Sequence, residues 1–168
     1  MKLIFRLAFT CLIICSFASC GAIVKGSAVK RTTYANNAIP PNFAENPGTL
    51  VCVLQGRNSR DKYMKKHVEK IYKGDYIFVH KDSLNNSAYS NKDKYRYLFD
   101  YNSTTSVQVM PDPNTGMFRQ SNIRSSTYYI KDRKTGAAYS NDLNSGYFSK
   151  LIQGYVIGLE AARAGDFD

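Results

Sequence analysis

The segment from Leu50 to Val79 constrains the fold more than any other part of the chain. Leu50-Val51-Cys52-Val53-Leu54 is an unbroken apolar run of strand length, the pattern of a strand buried on both faces. Gly56-Arg57-Asn58-Ser59 breaks it, with Asn58 or Ser59 suited to cap a helix and Asp61 well placed in its first turn. Met64, Val68, Ile71 and Tyr72 then recur at helical spacing as one apolar stripe, and lysines fill the remaining positions. Gly74 is a natural stop, and Tyr76-Ile77-Phe78-Val79 reads as a second strand. Strand, helix and strand in this order predict a right-handed parallel crossover.

The pattern changes after His80. Residues 81–94 are polar and read as a loop. Tyr95 to Tyr101 partly alternates as a strand, Asn102-Ser103 reads as a turn, and a further strand is expected around Ser106 to Met110. Pro111-Asp112-Pro113-Asn114-Thr115-Gly116 is a turn. Thr127 to Ile130, a loop ending at Gly136, and Ala137 to Ser140 predict a β-hairpin. Phe148, Leu151, Ile152, Tyr155, Val156 and Leu159 then mark a final helix, capped by Asn144 or Ser145. Gly154 and Gly158 are expected to let that helix close on the sheet. The fold class expected is therefore α+β: one mixed sheet with a β-α-β start, antiparallel strands and a hairpin, and a C-terminal helix packed on the sheet. The 43% apolar content supplies a real core, and the 13 Tyr and 9 Phe favour strands.

The first 20 residues have a different character. Lys2 and Arg6 are followed by the uncharged apolar run Leu7 to Phe17 and then by small residues. This is the layout of an export signal, and the run is too short for a membrane span of ~20 residues. Phe17-Ala18-Ser19-Cys20-Gly21 resembles the lipobox of bacterial lipoproteins, in which an apolar residue and two small residues precede a cysteine. The resemblance implies that the Cys20 thiol receives a diacylglycerol and that the chain is cut just before it. Several acyl chains hold a protein at a membrane firmly, where one gives marginal binding. Gly21 is not the Asp that retains some lipoproteins at the inner membrane, which favours the outer membrane. The organisation expected is a signal peptide at 1–19, a flexible lipid-anchored tether at 20–48, and one domain at 49–168. The tether reading rests on the Gly, Ser, Thr and Asn content and on Pro40, Pro41 and Pro47.

The anchor also settles the cysteine arithmetic. Cys11 and Cys15 lie in the signal, and a lipidated Cys20 leaves Cys52 alone in the apolar run. No intramolecular disulfide and no cysteine-based metal site follow, and Cys52 reads as a small buried hydrophobe.

Motifs for chemistry are sparse. The two histidines, His67 and His80, have no ligand-like spacing to other donors, so no metal is expected. No nucleophile motif is present, and no catalytic residue or cofactor is assigned. Two features remain. Arg57, Asn58, Ser59 and Arg60 stand where a buried strand meets a helix N-terminus, a place suited to anions. Lys62, Lys65, Lys66, Lys70 and Lys73 make the first helix strongly basic within a chain of net charge +10. Such a face attracts polyanions or anionic lipid. An exported protein rarely meets nucleic acid, so the partners expected are the membrane, through the lipid on Cys20, and an envelope protein or anionic envelope polymer. The function expected is a non-enzymatic binding or assembly role in the cell envelope. The rival is a small periplasmic enzyme or ligand-binding protein using the Gly56–Arg60 junction.

Overall fold

A computed structural model describes residues 20–166. The signal expected at 1–19 lies outside the described residues. The elements in chain order are α1 (residues 20–31), β1 (Leu50–Leu54), α2 (Asn58–Ile71), β2 (Tyr76–His80), β3 (Tyr97–Pro111), β4 (Phe118–Asp132), β5 (Ala138–Ser140) and α3 (Phe148–Ala164). The strands form one mixed sheet in the order β2-β1-β3-β4-β5. β1 runs parallel to both neighbours, whereas β3, β4 and β5 are joined antiparallel. The α+β architecture with a β-α-β start and a C-terminal helix on the sheet is the one the apolar pattern predicts.

Register decides which side chains share a face. Cys52 stands beside Phe99, and Phe99 beside Ile130, so these three point the same way. All three belong to a single core with Leu50, Tyr101 and Tyr128 of the sheet, Met64 and Val68 of α2, and Leu151, Ile152, Tyr155, Val156 and Leu159 of α3. Tyr155 stacks on Phe99 with ring centroids 5.4 Å apart. All three helices therefore contribute to the core on one face. The chain passes from β1 to β2 in one direction and returns past β1 to reach β3. A right-handed return must cross the opposite face. Val51, Val53 and Val79, which alternation places there, are buried as well.

The segment 20–48 does not form a tether. Residues 20–31 are helical, and Ala28, Thr32, Ala38, Ile39 and Phe43 are fully buried or nearly so. The Thr32 hydroxyl donates to the Ala28 carbonyl at 2.7 Å and accepts from Asn141 at 2.9 Å. Tyr155 donates to the Ala38 carbonyl at 2.7 Å, and Phe43 meets the Tyr97 ring at 5.1 Å. Small side chains at Ala28 and Thr32 let this segment lie close against α3. Gly154 and Gly158 face Lys25, Ala28 and Thr32, not the sheet. Among the described residues, 20–48 therefore belong to the fold, which does not wait for Thr49.

Two further departures concern strand and helix ends. β3 is one continuous strand across Asn102-Ser103, where the sequence predicts a turn, and β4 is far longer than the Thr127–Ile130 expected. The hairpin at Pro111–Gly116 and that between β4 and β5 are both present. At α2 the N-cap is Arg57, with no side-chain capping bond, in place of Asn58 or Ser59. At α3 the N-cap is Tyr147, while Ser145 bridges to Ser126 of β4.

Candidate functional site

The residues singled out by the sequence divide into three groups. Asn58, Lys62, Lys65, Lys66, Glu69 and Lys70 recur every three or four residues, so they share one face of α2. With Leu54, Asp61 and His80 they line an open groove of about 910 Å³ at the C-terminal ends of β1 and β2. The four lysines are exposed. Lys65 also lies over the Phe78 ring, with its Nζ 5.9 Å from the centroid. His80 is held at the rim by Asp82, Nδ1 to Oδ2 at 3.2 Å.

Lys73 is not part of this face. α2 ends at Ile71, so the helical spacing no longer applies, and Lys73 borders a separate groove with Lys94 and Arg163. Its backbone N–H donates to Glu160.

The strand–helix junction does not gather Arg57, Asn58, Ser59 and Arg60 around one point. Arg60 is buried. Its Nε donates to Ser126 of β4 at 2.9 Å, and its guanidinium sits 4.9 Å from the Phe148 ring centroid. Arg57 and Ser59 are exposed outside the groove, and Asn58 alone reaches it. The anion at this helix end is the protein's own. The Asp61 carboxylate accepts from the Gln55 backbone N–H at 3.2 Å and from the Tyr101 hydroxyl at 3.5 Å.

Beside it is a polar network that no sequence signal marked. The Gln55 side-chain amide donates to Asp100 and to the Tyr101 carbonyl, both at 2.6 Å, and Tyr129 donates to the other Asp100 oxygen at 3.1 Å. Burial first, then the charge of Asp100, pushes the Tyr129 hydroxyl well above its ordinary range, so it remains a proton donor to that carboxylate. The network ties β1 to β3 and β4.

His67 points to the helical core and not to the groove. Its Nε2 is 3.3 Å from Ser149 of α3, and its ring stacks on Tyr63. Burial, reinforced by Lys66, Lys150 and Lys70, lowers its pKa. Cys52 is fully buried in β1, and burial pushes its thiol far above the usual range. Cys20, the first described residue of α1, is exposed.

Among the described residues no cluster of three potential metal ligands occurs, and no described helix is long and apolar enough to cross a membrane. The groove offers ammonium groups, two carboxylates, an amide and an imidazole. Flexible ammonium groups on one open face recognise distributed negative charge and do not enclose a small molecule. No protein-family model matches the chain, and neither the curated proteins nor the solved structures contain a significant match.

Proposed function

We propose that this protein is a cell-envelope lipoprotein, cut before Cys20, lipidated on that thiol, and acting in a non-enzymatic binding or assembly role. The observation that carries the reading is the exposed Cys20 directly behind Phe17-Ala18-Ser19, in a helix packed on the fold. Residues 20–31 are helical and packed on the fold, so a lipid on Cys20 lies next to the folded domain, which then rests against the bilayer surface. Gly21 favours the outer membrane. The exposed lysines of α2 serve an anionic partner, either an envelope polymer or an acidic patch on an envelope protein, with an affinity that falls as salt rises. The rival use of the Gly56–Arg60 junction is disfavoured because Arg60 is engaged by Ser126 and Phe148, and Asp61 already stands at the helix end.

Fractionation of the native host tests the reading. Wild-type protein is expected in the membrane pellet and the Cys20→Ala variant in the soluble or precursor fraction. A Cys20→Ala variant that is cut and distributed as the wild type would overturn the anchor. Binding of the detergent-extracted protein to anionic envelope fractions in low salt, lost when Lys62, Lys65, Lys66 and Lys70 are changed to Gln, tests the groove. Equal binding by the variant would overturn that assignment.

A further inference from the structure

The distal half of the β3–β4 hairpin stands apart from the rest of the molecule. β1 pairs with β3 only at Leu98 and Phe99, and β5 pairs with β4 only from Tyr129 to Lys131. The Gln55 side chain closes the β3 edge at the Tyr101 carbonyl. From Asn102 to Pro111 and from Phe118 to Ser125 the two strands pair only with each other. A two-stranded ribbon is marginal in water without a third strand or a covered face. Here both faces are open. Val107 and Phe118, on the side continuous with the core, are 59% and 75% exposed, and Met110 and Ile123 are exposed on the other.

We infer that the free edge of β3, Asn102–Met110, is a self-association surface on which a second copy of this chain pairs antiparallel to form a continuous four-stranded sheet. Charge selects this edge and this occupant. The chain carries +10, so copies repel except where charge is absent. Asn102–Met110 contains no charged residue and no proline, although natural proteins guard free edges with Lys, Pro or bulges. The β4 edge carries Arg119 and Arg124, which would approach their own symmetry mates. A two-fold axis perpendicular to the sheet pairs the β3 run with itself and keeps faces together. It sets Val107 and Val109 of both copies on one side without opposing like charges. Unlike the envelope reading, this inference depends on neither the lipid nor the lysine groove.

Charge reversal on the edge tests it. Thr104, Ser106 and Gln108 share one face, are exposed, and stand opposite Ser125, Ile123 and Ser121 within the hairpin, so charges there have no charged residue directly opposite in the monomer. Full-length protein extracted in detergent is examined by light scattering, with the detergent contribution subtracted. The wild type is expected as a dimer. The T104K/S106K/Q108K and T104E/S106E/Q108E variants are each expected as monomers with unchanged circular dichroism, and an equimolar mixture restores a dimer containing one of each. A monomeric wild type, a dimeric Lys variant, or a mixture that stays monomeric would each overturn the inference.

Discussion

Gly154 of α3 lies against Ala28 of α1 with no room between them for a methyl group. A Cβ at Gly154 would stand 2.6 Å from the Ala28 Cβ and 2.5 Å from the Lys25 carbonyl oxygen. At Gly158 it would stand 2.6 Å from the Thr32 Cβ and 2.8 Å from the Thr32 carbonyl. Backbone atoms cannot step aside as a flexible side chain can. Gly154→Ala and Gly158→Ala should each cost about 1–3 kcal/mol in urea unfolding. Gly26 lies on the same α1 with nothing within 4 Å of its would-be Cβ, so Gly26→Ala should gain about 0.5–1 kcal/mol. If residues 20–48 were a tether, Gly26→Ala would be silent, and Gly154→Ala and Gly158→Ala would stabilise α3 by about 0.5–1 kcal/mol.

The buried tyrosines separate into partnered and unpartnered hydroxyls. Tyr155 donates to the Ala38 carbonyl and lies 3.1 Å from the Tyr139 carbonyl, whereas the Tyr128 hydroxyl has no partner among the described residues. Tyr155→Phe should cost about 1–2 kcal/mol, because a buried carbonyl loses its donor. Tyr128→Phe should leave stability unchanged or slightly raised. Thermal melts of the two variants side by side give the comparison.

Acid should destabilise the protein in two separate windows. Burial raises the Asp132 carboxyl, but the Arg96 guanidinium and the Lys134 and Thr135 amides outweigh it, and its pKa is held below the ordinary value. Its contribution is complete above the unfolded value of about 3.9 and is lost as pH falls from there through the folded value. Asp132→Asn should cost about 3 kcal/mol at neutral pH and flatten that limb. His67 is held neutral by its surroundings, so its contribution is complete above about pH 6.5 and falls as pH drops below. His67→Gln should flatten this upper limb alone. Stability measured from pH 8 downward, well past the ordinary carboxylate value of about 3.9, resolves both windows.

Arg60 and the groove lysines should separate by readout. Arg60→Ala removes the bond to Ser126 and the contact with Phe148, at about 1.5–3 kcal/mol, while exposed Arg57→Ala should shift stability by about 0.5 kcal/mol or less. Neither change should alter binding of anionic envelope fractions per folded molecule. Replacing Lys62, Lys65, Lys66 and Lys70 should abolish binding at unchanged melting temperature.

These contrasts also mark what the sequence could express. The β-α-β unit and α3 were legible because Leu50–Leu54 is buried on both faces and so reads as one apolar run, while α2 and α3 bury one side and carry a helical stripe. The length of β3 and β4 was not. Beyond Asn102 both faces of the ribbon meet water, so period-two alternation has nothing to separate, and Asn102-Ser103 reads as a turn. α1 was missed because close helix packing uses the same small residues that fill a linker, Ala28 and Thr32 among them. The lysine face was legible as far as Lys70 because spacing alone sets it, and it failed at Lys73 because α2 stops at Ile71. Arg60 was misread because charge does not reveal direction. Its aliphatic stem and planar head fit between Ser126 and Phe148, contacts that come from strands and helices distant in sequence.

The central proposal is the lipid on Cys20, and the mass of the N-terminal peptide from protein purified out of its native membrane tests it most directly. A peptide that begins at residue 20 and carries the mass of a diacylglycerol thioether on Cys20 is the predicted result. A peptide that begins elsewhere, or one that begins at Cys20 with an unmodified thiol, would contradict it.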